Sequence, residues 1–302
     1  MKPLLVICPG AIKSGTTSLY DHFYTSYLLH FGHGKEHYYL NNIYRNKYAW
    51  EEEFKHNFLS EKFFTFRENH TFKSFEPYYK QRTLENYKNY FLEIYEYYVS
   101  HKKMFYGVAD FSQSYADLSS DQVKHFRDYI TEYFDVKIII MIREPVHRFY
   151  SYCNMNSKNA KDFFYKTLNE GKDSQLNLYE RLFETWASSQ IWGENNHTFV
   201  CYENLFGDRN SSIKEISSLY RFLNIPQGPC IKRNKSLIKG IYQTQLSKDD
   251  IEFAKNKLRQ EYTSFHTRDL LPNHWEYADT WNIDCVKYEN LNKQLNPVEY
   301  YS

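Results

Sequence analysis

The segment Pro9-Gly10-Ala11-Ile12-Lys13-Ser14-Gly15-Thr16-Thr17 has the residue types of a loop that binds an anion. Backbone N–H groups at the start of a helix converge on negative charge, and glycine lets the chain approach closely. Gly10 and Gly15 carry the G-x4-G spacing of a nucleoside triphosphate loop. That motif needs lysine directly after its second glycine, yet Thr16 stands there and the lysine sits earlier, at Lys13. A second departure agrees with the first. The apolar run ending in Met141-Ile142 delivers Arg143, where a magnesium-binding loop would place an aspartate. These residues read as a cradle for a nucleotide anion without a metal.

Such a cradle needs strands that aim its loops. Leu4-Leu5-Val6-Ile7-Cys8 is a continuous apolar run stopped by Pro9-Gly10, the pattern of a strand buried on both faces of a parallel sheet. Ser18 to Leu29 then reads as a helix. Lys137 to Ile142 is a second strand, and Pro145 suits the first turn of the helix after it. Phe199-Val200-Cys201-Tyr202 is a third strand and precedes a helix from Ile213 to Leu223; Tyr106 to Ala109 is a shorter fourth. Lys248 to Tyr262 reads as one further helix. Strands separated by helices predict an α/β fold with a central parallel sheet between helical layers. Residues 42–100, charged and aromatic, read as a mainly helical insertion over the ligand end of the sheet.

The 302 residues, without a linker or repeat, are expected to form one domain over 1–302. The charge sum of +1 disfavours a nucleic-acid partner, which calls for a broad basic surface. Mean hydropathy is −0.73 and no apolar run reaches the length of a transmembrane segment. Five scattered cysteines without metal-ligand spacing, and an N-terminal apolar run too short for a signal peptide, fit reduced thiols and a cytoplasmic location. Four Asn-x-Ser/Thr matches, at Asn69, Asn196, Asn210 and Asn234, are read as chance in an asparagine-rich chain.

Lys13-Ser14-Gly15-Thr16-Thr17 after a buried strand resembles the 5′-phosphosulfate loop of the sulfotransferases, which use 3′-phosphoadenosine 5′-phosphosulfate (PAPS). Arg143-Glu144-Pro145-Val146-His147-Arg148-Phe149-Tyr150-Ser151 resembles that family's 3′-phosphate element, an arginine at a strand end with a serine eight residues on. Tyr202-Glu203-Asn204-Leu205 is similar to the segment whose tyrosine lies near the adenosine. Tyr220-Arg221-Phe222-Leu223-Asn224-Ile225-Pro226 resembles the end of the helix that follows. The likeness implies the sulfotransferase variant of the phosphate-loop fold, PAPS as co-substrate and no required metal.

Carried over residue by residue, it implies that Ser14, Thr16 and Thr17, with the amides of Gly15 and Thr16, hold the 5′-phosphate. Arg143 and Ser151 would take the 3′-phosphate, with Tyr202 near the adenosine. Ser18 stands where cytosolic members often stack a tryptophan on adenine. Arg233 and Lys235, or Lys239 and Gly240, are the candidates for a basic closing loop. Lys13 would neutralise charge on the leaving phosphate. Lys35-Glu36-His37-Tyr38-Tyr39 resembles a segment of the carbohydrate sulfotransferases in which the glutamate deprotonates the acceptor. Glu36 is therefore a candidate base, with His37 and Asp110 as rivals. Asp110 falls on a glutamate of a second such segment, but Phe111 replaces its lysine, which weakens the case for a glycosaminoglycan substrate. The implied acceptor is a hydroxyl or amine of a small molecule, sugar or lipid. Alternatives are a kinase with a degenerate phosphate loop, or a non-catalytic nucleotide-binding protein of the same fold.

Overall fold

The structure is a computed structural model that describes residues 2–32, 34–45, 81–100, 105–207, 209–226, 246–270 and 275. β1 (Leu4–Ile7) runs into the anion loop and α1 (Thr16–Thr25), followed by β2 (Leu29–His30), α2 (Tyr39–Arg45) and α3 (Leu84–Ser100). Next come β3 (Gly107–Asp110), a 3-10 turn (Gln113–Asp117), α4 (Ser120–Ile130) and β4 (Asp135–Ile142). The chain continues through α5 (Pro145–Asn156), α6 (Ala160–Glu170), α7 (Leu178–Thr185), α8 (Ser189–Trp192), β5 (His197–Cys201), α9 (Tyr202–Phe206) and α10 (Arg209–Phe222). It ends in α11 (Lys248–Lys257) and α12 (Arg259–His266).

The five strands form one sheet in the order β2-β3-β1-β4-β5, and every pairing is parallel. Alternating side chains of β1 explain its unbroken apolar run. Leu5 and Ile7 join a core with α3, α4 and α5, whereas Val6 and Cys8 join the opposite core with α1 and α10. The three-layer α/β expectation holds. β1 lies between β3 and β4, so the loops leaving β1 and β4 open on the same crevice at the carboxyl edge, where parallel α/β sheets bind ligands. Among the described residues, no helix is long and apolar enough to cross a membrane.

Several element boundaries differ from the sequence expectation. The first helix stops at Thr25, not Leu29, because Tyr27 turns left-handed at φ 54° and the Leu28 amide returns to the Phe23 carbonyl. Leu29 is thereby free to pair in β2. Tyr202 starts a helix instead of ending a strand, since β4 offers no ladder partner beyond Ile142. The stretch 248–262 is two helices that meet at Leu258. The described part of the expected insertion, α3, sends Tyr87, Tyr90, Phe91 and Ile94 into the main core. Residues 46–80 lie outside the described residues.

Candidate functional site

Gly15 caps α1 in the left-handed conformation at φ 91°, and no side chain caps this helix start. Its first amides are thus available to an anion. Glycine is required here twice over: by its φ, and because a Cβ would lie 2.7 Å from Cδ2 of Tyr202. The Tyr202 ring packs on the loop in this way, and the Arg143 guanidinium lies over the same ring, 4.4 Å from its centroid. Arg143 Nη1 donates to the Lys13 carbonyl at 3.0 Å. Its Nε is buried and has no partner among the described residues. A charged donor in that state suits an incoming oxyanion. Loop, strand-end arginine and Tyr202 therefore meet as the motifs suggest.

Tyr179 of α7 ties the two motifs together. Its hydroxyl accepts from the Arg143 amide at 2.7 Å, donates to the Arg143 carbonyl at 2.9 Å and lies 3.0 Å from Ser14 Oγ. With the Tyr179 proton given to Arg143, Ser14 must donate its own proton to Tyr179. Ser14 is fully buried, and its hydroxyl serves the loop's own structure. Thr16 is buried, Thr17 exposed, and Ser18 continues the first turn of α1 with its amide on the Gly15 carbonyl. Ser151 is buried two turns along α5. The N-cap of α5 is Glu144, whose carboxylate accepts from the His147 amide at 2.7 Å and the His147 ring at 2.9 Å, and from the Tyr262 hydroxyl.

On the opposite side of the loop, Lys35 Nζ donates to Thr16 Oγ1 at 3.0 Å, Thr17 Oγ1 at 3.1 Å and Glu36 Oε1 at 2.8 Å. Gln113 Nε2 bonds both Thr16 Oγ1, at 2.7 Å, and Glu36 Oε1, at 3.0 Å. The Tyr38 hydroxyl donates to Glu36 Oε2. Glu36 is thus held one side chain away from the anion loop, at the wall of a cleft of about 230 Å³ that also touches Ile12, Ala116 and Leu178.

The two rivals of Glu36 have other work. His37 is fully buried, edge-on to Tyr90 and Phe91, with Nε2 on the Phe31 carbonyl at 2.9 Å. Burial lowers its pKa, with the Asp110 charge opposing. Asp110 is also fully buried and accepts from the hydroxyls of Ser112 (2.5 Å), Tyr115 (2.7 Å) and Tyr87 (3.1 Å). Ser112 Oγ in turn accepts from the amides of His37 and Tyr38, and Tyr115 Oη from those of Tyr39 and Leu40. Asp110 thereby fixes the backbone that presents Glu36. Burial, and then the Asp110 charge, push the Tyr115 pKa well up, which keeps that hydroxyl a donor. Phe111 is buried in the core beside Phe23 and Phe31.

Sequence reasoning carries Lys35 and Gln113 only within their segments, with no role for either, and passes over Tyr179. Gln113 follows Asp110 by three residues, a weak signal; Tyr179, one of 30 tyrosines, carries none. Arg233, Lys235, Lys239 and Gly240 lie outside the described residues.

Comparison with known proteins agrees with this geometry. The model of the sulfotransferase family matches residues 3–229. The crystal structure of a sulfotransferase from Alicyclobacillus acidocaldarius superposes with a TM-score of 0.51 at 13% identity, covering 89% of this chain and 95% of that one. No curated protein sequence matches the chain. The family match spans both anion-facing motifs and the sheet that brings them to one edge, and on that ground the chain belongs to the sulfotransferase family.

Proposed function

We propose that this chain moves a sulfuryl group from PAPS to a hydroxyl or amine of a small-molecule, sugar or lipid acceptor. The observation that carries the reading is the pair of hydrogen bonds that Gln113 Nε2 donates, one to the loop hydroxyl of Thr16 and one to the carboxylate of Glu36. A donor seated on the loop and an acceptor beside Glu36 would then be neighbours in line, and positioning of this kind lowers barriers by itself.

In this reading the amides at the start of α1, with Thr16, Thr17 and Lys35, hold the 5′-phosphate. Arg143, through its unpartnered Nε, and Ser151 hold the 3′-phosphate, and Tyr202 supports the adenosine. Glu36 takes the acceptor proton as the new bond to sulfur forms and the bond from sulfur to the bridging phosphate oxygen breaks. Adenosine 3′,5′-bisphosphate leaves. Lys13 and Lys35 meet the charge that grows on the leaving oxygen, the place where preorganised cations act most strongly. Asp110 and His37 position the base and do not replace it.

Calorimetry with adenosine 3′,5′-bisphosphate and with ATP plus magnesium tests the nucleotide. The bisphosphate is expected to bind far more tightly, and PAPS turnover to survive a chelator. Preference for ATP with magnesium, with turnover abolished by the chelator, would favour the kinase alternative.

A further inference from the structure

Arg143 stands just past the point where the sheet can hold it. β4 and β5 pair as far as Ile142 and Cys201, and the ladder ends there. The direction of an arginine side chain depends on its backbone, so residues 143 and 144 need another anchor. Side chains supply it. The Tyr179 hydroxyl accepts from the Arg143 amide and donates to its carbonyl. The Glu144 amide donates to Glu203 Oε1 at 3.0 Å.

Glu203 adjoins Tyr202, whose ring lies beneath the Arg143 guanidinium. Two consecutive residues of α9 thus meet two consecutive residues at the end of β4, ring to guanidinium and carboxylate to amide. Glu203 is itself held. Its Oε2 accepts from Trp275 Nε1 at 3.2 Å and from Cys201 Sγ at 3.3 Å. Burial, and then the Glu203 charge, push the Cys201 pKa up, which keeps the thiol a donor. Trp275 is buried against Phe265 of α12, with ring centroids 5.0 Å apart. One carboxylate oxygen therefore serves the strand end and the other serves its own support.

We infer that Glu203 is a positioning residue for Arg143, and that Trp275 and Cys201 orient it. The inference rests on Arg143 meeting the 3′-phosphate in the proposed reaction. It assigns Glu203 an effect on 3′-phosphate recognition that acts through the Glu144 amide.

An amide in place of the carboxylate exposes the arrangement. Glutamine has one acceptor oxygen, whereas the Glu144 amide and Trp275 Nε1 donate to different oxygens of Glu203. Whichever way the amide turns in Glu203→Gln, a donor faces its NH2 group and the grip on Glu144 weakens. Trp275→Phe keeps a ring beside Phe265 and removes one donor, so in the double variant the glutamine oxygen can turn to Glu144.

Calorimetry on the full chain compares adenosine 3′,5′-bisphosphate with 5′-AMP. The preference for the bisphosphate should fall by about fivefold or more in Glu203→Gln. It should stay within about twofold of the parent in Trp275→Phe, where Cys201 still orients the carboxylate, and return to within about twofold in the double variant. Hydrogen exchange of the Glu144 amide, read without nucleotide, should quicken by about tenfold in Glu203→Gln and recover in the double variant. Loss of packing alone would add the two substitutions instead. An equal loss for both nucleotides, unchanged exchange in Glu203→Gln, or a double variant worse than Glu203→Gln in both readouts overturns the inference. Arg143→Ala, titrated alongside, keeps the two readings apart. If it spares the preference, or if the bisphosphate does not bind the parent, the 3′-phosphate assignment falls, and amide exchange still decides whether Glu203 holds the strand end.

Discussion

The two sides of this site are built differently. The proposed nucleotide side is made largely by backbone: the turn at Gly15, the exposed start of α1 and the end of β4, with Arg143 laid across the loop carbonyl of Lys13. The cleft beside Glu36 is made by side chains that share no element: Glu36 before α2, Gln113 and Asp117 in the 3-10 turn, and Gln175 before α7. Backbone geometry tolerates little substitution, and so leaves a dense local motif. A wall of side chains collected from distant segments can change one residue at a time. In the proposed reading, recognition of the donor and choice of acceptor are therefore separable properties of one crevice.

The largest effect expected on that division comes from Glu36. Glu36→Gln should lower turnover by ~10²–10⁴-fold, the range for a general base, and leave bisphosphate affinity intact in calorimetry. A variant within about threefold of the parent rate, with chemistry limiting, moves the base elsewhere. Lys13→Ala should come next, at ~10²–10³-fold in kcat with a much smaller loss of donor binding, since its charge acts chiefly in the transition state. A loss of affinity with kcat unchanged would make Lys13 a binding residue only.

Arg143→Ala sharpens the comparison from the nucleotide side. It should weaken adenosine 3′,5′-bisphosphate by ~2–3 kcal/mol through loss of a charge-assisted contact. The 5′-monophosphate should lose less, and only through the freed Lys13 carbonyl; an equal loss for both nucleotides removes Arg143 from the 3′-phosphate. Tyr179→Phe takes away one hydroxyl that joins Ser14 to Arg143, and about 1–2 kcal/mol of stability should go with it in denaturant titration. A neutral result there would mean the two motifs hold their places independently.

The smallest effect is a pH dependence beneath Arg143. The hydrogen bond to Glu144 raises the His147 pKa above its ordinary 6.5, against the opposing effects of burial and of Arg143, while Glu203 adds to the rise. A raised pKa means that folding favours the imidazolium. That stabilisation is complete below about 6.5 and fades as pH climbs through the raised value. The melting temperature of the parent should exceed that of His147→Gln at low pH, and the gap should close toward alkaline pH. A gap constant across the range would show that His147 packs without titrating.

The readable parts of this protein were those written in consecutive residues. The apolar β1 and β4 runs, the glycine turn and the strand-end arginine announced a parallel α/β sheet with an anion loop at its edge. Less was legible wherever a distant partner decided the outcome. Leu29 left its expected helix because a left-handed Tyr27 released it to pair with β3. Tyr202 could not remain extended once β4 had ended. His37 looked like a base from its type alone, and burial against Tyr90 and Phe91 made it a core residue.

Asp110 carries the same lesson in the opposite direction. Its place beside a family motif suggested chemistry, but three hydroxyls converge on it from α3, the 3-10 turn and the segment before it. Nothing in the local sequence says that Tyr87 and Tyr115 will arrive there. By itself the sequence determined the sheet and the strand-to-helix loop at its edge, because hydrophobic periodicity, glycine conformation and helix-start chemistry act over a few residues. Tertiary structure alone decided which carboxylate faces the cleft and which is sealed beneath it. Burial and hydrogen-bond partners are set by segments far apart in the chain, and they divide Glu36 from Asp110.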